Sequence, residues 1–247
     1  MLEFNNISVT AGKTKILDGV DLKLEKEALT ALIGKNAAGK STLLSCLTGE
    51  RKYTGSITFD GKDLAELSNR ERAKLVALMP QKLPCPDITG RHLIRLGRTP
   101  YLDIGRHFTA EDTAECERAI SLTQTAELLS KKVSLMSGGE RQKIFLAMLF
   151  AQNTPFIAFD EPTSYMDARH EREFSSLITD TVRKHKKNAL VVMHDLTRAV
   201  EIADNIAILE KGRIIFYGSS REAAESGIIE KNFDVTAYDC DGLRIYR

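Results

Sequence analysis

The stretch from Gly34 to Thr42 carries residue types that bind phosphate groups. It reads Gly-Lys-Asn-Ala-Ala-Gly-Lys-Ser-Thr and fits the pattern G-x-x-x-x-G-K-[ST]. In such a loop the backbone N–H groups point at phosphate oxygens, Lys40 reaches the β- and γ-phosphates, and the Ser41 hydroxyl ligates Mg²⁺. An ordinary glycine-rich turn can match this pattern by accident. The predicted phosphate-binding residues are Gly34, Asn36, Ala37, Ala38, Gly39, Lys40, Ser41 and Thr42.

Two carboxylates follow a short apolar run, Phe156-Ile-Ala-Phe-Asp-Glu161. An apolar strand that ends in two acids is typical of a Walker B motif, because the strand holds the carboxylates rigidly beside the phosphate loop. Asp160 would hold Mg²⁺ directly or through water, and Glu161 would polarise the water that attacks the γ-phosphate. In isolation the same residues fit a strand that runs into an acidic turn. Together with the phosphate loop they predict ATP hydrolysis with Mg²⁺.

The elements that must position these residues are predicted from apolar periodicity. Continuous apolar runs over 28–33, 156–159 and 188–193 indicate buried parallel strands, and each delivers a polar residue at its end. Alternating patterns over 2–9 and 16–24 indicate half-buried antiparallel strands. The strand, loop and helix succession predicts an α/β fold whose ligands bind beyond the carboxyl ends of the strands. Hairpins are predicted over 56–61 and 206–217, and helices over 41–47, 109–129, 141–152 and 167–187.

Composition bounds the classes of function. The chain has 247 residues and a formal net charge of +1, so its balance gives no argument for nucleic-acid binding. Its four cysteines are scattered without metal-binding spacing and are expected to be free thiols in a reducing compartment. No apolar run is long enough to span a bilayer, and the start lacks the pattern of a signal peptide. We therefore expect a cytoplasmic protein, which leaves docking onto a membrane protein open.

Four further segments give the chain its resemblance to a known family. Ser137-Gly-Gly139 matches the signature motif, Gln81 the Q-loop glutamine, 164–167 the D-loop and His194 the switch histidine of ABC transporter ATP-binding subunits. All six motifs occur in that family's order. The resemblance covers the chain up to about Gly218. It implies a P-loop NTPase core with a mostly parallel sheet, an N-terminal antiparallel β part and an inserted α-helical subdomain. The implied parts of this single domain are a core over 1–85 and 153–218, a helical subdomain over 86–152 and an extension over 219–247.

The resemblance also implies roles for the matching residues. Glu161, His194, Lys40 and Gln81 would be catalytic, and Mg²⁺ would be held by Ser41, Gln81 and Asp160. Two copies would pack head to tail, so that each ATP lies between one phosphate loop and the partner's signature segment. The nucleotide contacts on the partner side would come from Ser137, Gly138, Gly139 and Asp167.

Four positions depart from the family pattern. Ala37 replaces a frequent glycine and needs a helix-compatible backbone. Glu140 replaces glutamine after the signature glycines, and completes a capping box if Ser137 caps the helix. Tyr165-Met166 stand in the D-loop where Ala-Leu is usual. Ala11 stands where an aromatic residue often stacks on adenine, so weaker discrimination between ATP and GTP is expected.

The stretch Ile94 to Tyr101 resembles the "GRxPH" segment of iron-chelate, haem and cobalamin uptake ATPases, with Tyr101 in place of histidine. The resemblance implies an importer subunit, peripheral on the inner face of the cell membrane, with a permease docked near residues 81–106. A substrate-binding protein would be an indirect partner. The segment from Pro84 to Gly105 is rich in Pro and Gly and is expected to be irregular, exposed and partner-facing. The ATPase of another importer or of an exporter stays open, as does a non-transport ATPase such as an iron–sulfur assembly factor.

Overall fold

The computed structural model describes residues 1–102, 107–163, 166, 168–240 and 243–247, and it begins with an antiparallel sheet in the order β2-β1-β4-β5. Buried apolar side chains alternate with exposed polar ones along its first two strands, which is the predicted pattern. The predicted 56–61 hairpin is present as β4 and β5. The strands are β1 (Leu2–Ala11), β2 (Thr14–Lys23), β4 (Thr54–Phe59) and β5 (Lys62–Asp63).

A second sheet of six strands carries the candidate site. Its order is β10-β9-β3-β8-β7-β6, and all neighbours are parallel except the edge strand β10, which pairs with β9 as the predicted hairpin. The predicted α/β fold with a mostly parallel sheet is confirmed. The strands are β3 (Leu29–Ile33), β6 (Val76–Met79), β7 (Phe156–Asp160), β8 (Asn188–Val192), β9 (Asn205–Glu210) and β10 (Arg213–Ser219).

Both faces of this sheet are covered, which explains why its strands are continuously apolar. Along β3, Leu32 faces a core formed with the first sheet and the helix after the phosphate loop, whereas Ala31 and Ile33 face a core formed with the remaining helices. The helices are α1 (Lys40–Thr48), α2 (Asn69–Leu75), α3 (Gly90–Leu96), α4 (Ala110–Thr123), α5 (Gly138–Gln152), α6 (Ala168–Lys184) and α7 (Leu196–Ile202). Helices α3, α4 and α5 pack together as the predicted helical part.

Two expectations for the helical part are wrong in detail. The segment expected to be irregular and exposed contains α3, which Thr89 caps and whose Leu93 and Ile94 are buried against α5. Residues 103–106 lie outside the described residues. The helix capped by Thr109 ends at Thr123 rather than near 129, because Gln124 is left-handed, with φ 52, and the chain continues as a short 3₁₀ turn.

The extension after Gly218, for which the sequence analysis assigns no role, is folded. It forms α8 (Ser220–Glu225), α9 (Ile228–Phe233) and a hairpin of β11 (Ala237–Cys240) and β12 (Leu243–Tyr246). The backbone N–H of Tyr246 donates to Thr197 Oγ1 of α7 at 3.0 Å, and the Ile229 side chain is buried. This extension therefore packs on the helix that follows His194.

Candidate active site

The phosphate loop joins β3 to α1 and is shaped by its glycines. A Cβ on Gly34 would lie 2.3 Å from the carbonyl oxygen of Leu209 on β9, so only glycine fits there. Gly39 has φ 107 and lies against Leu17, so it also requires glycine. Ala37 has φ 62, in the left-handed region, which costs an alanine about 1–2 kcal/mol. The φ angle of Ala37 therefore lies in the left-handed helical region, which is strained for alanine, and not in the ordinary right-handed region.

Helix α1 directs its first amides into the loop. The first N–H groups of a helix have no partner within it, and Gly39 at the N-cap has no side chain to bond them. Lys40 is buried, and its Nζ donates to the carbonyl oxygens of Gly34 at 2.6 Å and Lys35 at 3.1 Å. Burial lowers the pKa of Lys40, and the nearby carboxylates of Glu161 and Asp160 oppose this. The loop thus combines free amides with a fixed cation, an arrangement suited to phosphate.

The two carboxylates stand at the end of β7. Ser41 Oγ donates to Asp160 Oδ1 at 3.2 Å, which joins two of the three predicted metal ligands. Burial raises the pKa of Asp160, and the hydrogen bond from Ser41 opposes this rise. A hydroxyl and a carboxylate side by side fit Mg²⁺, which prefers oxygen ligands and keeps water or phosphate in its other positions. In the described part of the chain, no group of three or more His, Cys, Asp or Glu could hold a metal alone.

Glu161 is held between two other predicted catalytic residues. Gln81 Nε2 donates to Glu161 Oε2, and His194 Nε2 lies within hydrogen-bond distance of Oε1. Gln81 follows β6 and His194 follows β8, so the three side chains meet because β6, β7 and β8 are neighbours in the sheet. Glu161 itself has φ 49. Residues with such strained backbone angles persist only where the surrounding structure holds them, and they are concentrated at functional sites.

One cavity of about 610 Å³ joins the phosphate loop to Glu161. The predicted residues that line it are Asn36, Ala37, Ala38, Gly39, Lys40, Ser41, Thr42 and Glu161, whereas Gly34, Gln81, Asp160 and His194 are not part of its lining. The rest of the lining comes from Thr14, Lys15 and Ile16 of β2 and from Lys211 between β9 and β10, none of which the sequence analysis singled out. Only the two-residue turn Lys211-Gly212 between two strands could have drawn attention to Lys211.

The signature segment lies elsewhere. Ser137 caps α5, and the predicted capping box with Glu140 is present. Lys131 Nζ also contacts Glu140 Oε2 at 2.8 Å, so the unusual carboxylate is paired. Ser137 and Gly139 line a separate cavity of about 310 Å³. In the described residues, therefore, the phosphate loop and the signature segment do not share a cavity. Asp167, with Ser164 and Tyr165, lies outside the described residues.

The comparisons with known proteins agree with this geometry. A family model described as "ABC transporter" matches residues 17–164. The chain belongs to the ABC transporter family. It is accordingly an ATP-binding, ATP-hydrolysing subunit, which confirms the resemblance seen in the sequence.

Relatives match along nearly the whole chain. The petrobactin import ATP-binding protein YclP of Bacillus subtilis is 33% identical over 96% of this chain and 94% of its own. The ferric enterobactin transport ATP-binding protein FepC of Escherichia coli is 30% identical over 93% of this chain and 86% of its own. A solved dimeric structure of the ATP-binding cassette MJ0796, bound to ADP and Pi, shares the fold. Its TM-score is 0.78 at 20% identity, over 90% of this chain and 99% of that one.

Membrane spans are not found in this structure. Among the described residues, every helix is too short or too polar to cross a bilayer.

Proposed function

We propose that this ABC protein energises a membrane importer of an iron chelate, haem or cobalamin. The observation that carries the ATPase part is the cavity that joins the phosphate loop to Glu161, with Glu161 fixed by Gln81 and His194. The import part is supported by the printed functions of the relatives, which import petrobactin and transport ferric enterobactin. Both relatives cover this chain almost completely.

Each predicted catalytic residue has a proposed task. The amides of the phosphate loop and Lys40 bind the β- and γ-phosphates. Glu161 accepts a proton from the attacking water, since its carboxylate is the acid group that lines the same cavity. His194 and Gln81 orient Glu161 through their contacts with its two carboxylate oxygens. Binding energy is thereby used for orientation, which is a major source of rate in phosphoryl transfer.

Mg²⁺ is proposed as the metal. Ser41 Oγ and Asp160 Oδ1 are adjacent oxygen donors at the phosphate loop, and Gln81 approaches from β6. The ion would draw negative charge from the phosphate oxygens when it is bound. Asp160 must be ionised for this, although its burial favours the neutral form.

A second copy of the chain is the proposed partner at the nucleotide. Ser137, Gly138 and Gly139 start α5, whose first turn can offer a hydroxyl and N–H groups to a γ-phosphate. Ser137 and Gly139 line a cavity other than the ATP cavity of their own chain, so a head-to-tail pair would bring this segment, and Asp167 with it, to the partner's nucleotide. ATP then joins the subunits, and hydrolysis separates them.

A permease near residues 81–106 would convert this closing and opening into transport. The described residues of that surface follow Gln81, whose side chain donates to Glu161. A movement of Glu161 would therefore be transmitted through Gln81 to a permease docked there. The protein would then be cytoplasmic and peripheral on the inner face of the cell membrane. A substrate-binding protein would take part indirectly.

The catalytic assignment is tested by Glu161→Gln. The substitution keeps the size of the side chain and one acceptor oxygen for Gln81 but removes the base, so ATP should bind while turnover falls about 10²- to 10⁴-fold. Glu66→Gln, at an exposed carboxylate, is the matched control and should hydrolyse ATP normally. Unchanged turnover in Glu161→Gln would remove Glu161 from its role.

The transport assignment is tested by co-purification. The tagged chain, solubilised from its own membranes, should retain an integral membrane permease of the importer type. Recovery of an exporter permease, or of soluble assembly proteins instead, would overturn the import proposal and leave the ATPase assignment intact.

A further inference from the structure

Two groups of residues line the nucleotide cavity. The phosphate loop and Glu161 form one group, and Thr14, Lys15, Ile16 and Lys211 form the other. Because the phosphates bind the loop, the second group is left for the ribose and the base. None of the described residues that line the cavity is aromatic. Ala11 pairs with Thr14 in the β1–β2 ladder, and its methyl group cannot stack on a base as a ring would. The base must therefore be recognised by other side chains.

Lys211 is fixed in place by the turn that carries it. Lys211 and Gly212 have φ values of 47 and 79 and form a tight two-residue turn between β9 and β10. Gly212 N donates to Ala38 O of the phosphate loop at 3.1 Å, and Asp18 N donates to Gly212 O at 2.9 Å. A Cβ on Gly212 would lie 2.4 Å from Ile16 O. The backbone of Lys211 is thus clamped between the phosphate loop and β2.

The conformation of Lys211 is unusual for its residue type. The first position of such a turn favours Asn, Asp or Gly, because other residues are strained with positive φ. A lysine kept at a strained position beside a candidate ligand site points to a use for its side chain.

Lys15 and Lys211, which line the cavity outside the phosphate loop, differ in how their charges are paired. Lys15 pairs with Asp18, which also accepts from Arg213 Nε at 2.9 Å. The Lys15 charge is therefore balanced within the chain. Lys211 is exposed, and no ion pair joins it to any residue that the structure describes. One ammonium group without an ion pair thus lines the cavity together with the apolar surface of Ile16.

We infer that Lys211 recognises the purine base and makes the site accept guanine nucleotides at least as well as ATP. This inference rests on the proposed function of the cavity. Guanine presents two adjacent acceptors, O6 and N7, which suit an ammonium donor, whereas adenine places an amino donor beside its N7. Ile16 supplies apolar contact to the face of either base.

The test compares the dissociation constants of ATP, GTP and inorganic triphosphate with Mg²⁺ in three proteins: the wild type, Lys211→Met and Lys13→Met. Methionine keeps the unbranched shape of lysine without its charge. Lys13→Met removes the same charge from the β1–β2 turn, outside the cavity lining. Lys211→Asn is the second variant if Lys211→Met folds poorly, because asparagine tolerates positive φ.

Lys211→Met should weaken GTP binding about fivefold or more, the lower end of the discrimination expected from a paired base contact. The dissociation constants of ATP and triphosphate should change by less than about twofold, since neither has the guanine acceptors. Lys13→Met should bind all three as the wild type does.

An equal change for all three ligands, or no change, would overturn the inference. Failure of the wild type to bind either nucleotide would instead overturn the proposed function. Normal ATP binding with an unmoved ratio of GTP to ATP affinity would leave that function standing and remove only the role of Lys211.

Discussion

The phosphate loop and the signature segment both place a helix N-terminus where phosphate could bind, but the surroundings of their glycines differ. Gly34 and Gly39 are required by the chain's own packing, since added Cβ atoms would meet Leu209 O and Leu17. Gly138 and Gly139 face open space, with nothing within 4 Å of an added Cβ. The fold of one chain explains the first pair and leaves the second pair unexplained.

The N-termini of α1 and α5 also differ in how their first backbone N–H groups are satisfied. The amides that begin α1 have no capping side chain, whereas the N-cap of α5 is satisfied by a complete capping box. The phosphate loop is therefore shaped by buried strands to receive a ligand, and the signature segment is a stable, exposed helix start with free space above it. We propose that this space receives the nucleotide bound by a second copy of the chain.

The largest expected effect is that of Gly34→Ala. A methyl group 2.3 Å from a backbone oxygen forces β3 and β9 apart, so stability should fall by about 3 kcal/mol or more and ATP binding should be lost. Urea unfolding followed by circular dichroism measures this change. A variant as stable as the wild type would contradict the packing explanation of this glycine.

Gly139→Ala should behave in the opposite way. Alanine favours a helix over glycine by about 0.5–1 kcal/mol, so the isolated chain should become slightly more stable. ATP turnover should nevertheless fall at least about tenfold, because a methyl group would occupy the space in which the partner's phosphate approaches. Steady-state ATPase assays and urea unfolding of the same sample check both parts. A loss of stability, or full activity, would erase the contrast with Gly34.

The pH response should also separate the two regions. Burial raises the pKa of Asp160, so on acidification it is protonated before an ordinary aspartate, and the Mg²⁺ requirement for ATP should rise while the pH is still above the ordinary aspartate pKa of about 3.9. The bonds from Lys131 and Ser137 lower the pKa of Glu140. The ionised Glu140 carboxylate therefore stabilises the folded state at pH values above the glutamate pKa of the unfolded chain, about 4.3. This stabilisation is lost only as the pH falls through the lower pKa that Glu140 has in the folded state.

Magnesium titrations at several pH values, corrected for protonation of ATP itself, measure the response of the phosphate-loop region. Circular dichroism over the same range follows the helices. A Mg²⁺ requirement that stays constant until the helices unfold, or helix loss that precedes its rise, would show that the two carboxylates do not differ as their surroundings indicate.

Motifs and buried strands could be predicted from the sequence because each is a local pattern. The run before Gly34 is continuously apolar, and the two acids after Phe159 follow directly in the chain. Lys211 could not be found in this way, since its position over the cavity depends on contacts of Gly212 with residues far away in sequence. Helix α3 was missed because the Pro and Gly residues around it obscured Leu93 and Ile94, whose burial against α5 stabilises it.

We propose that one chain holds half of each nucleotide site and that a second copy supplies the other half. Sedimentation velocity of Glu161→Gln with and without Mg²⁺ and ATP tests it most directly, because this variant should bind ATP without releasing it by hydrolysis. ATP should convert the protein from monomer to dimer. A variant that is saturated with ATP and stays a monomer would contradict the claim.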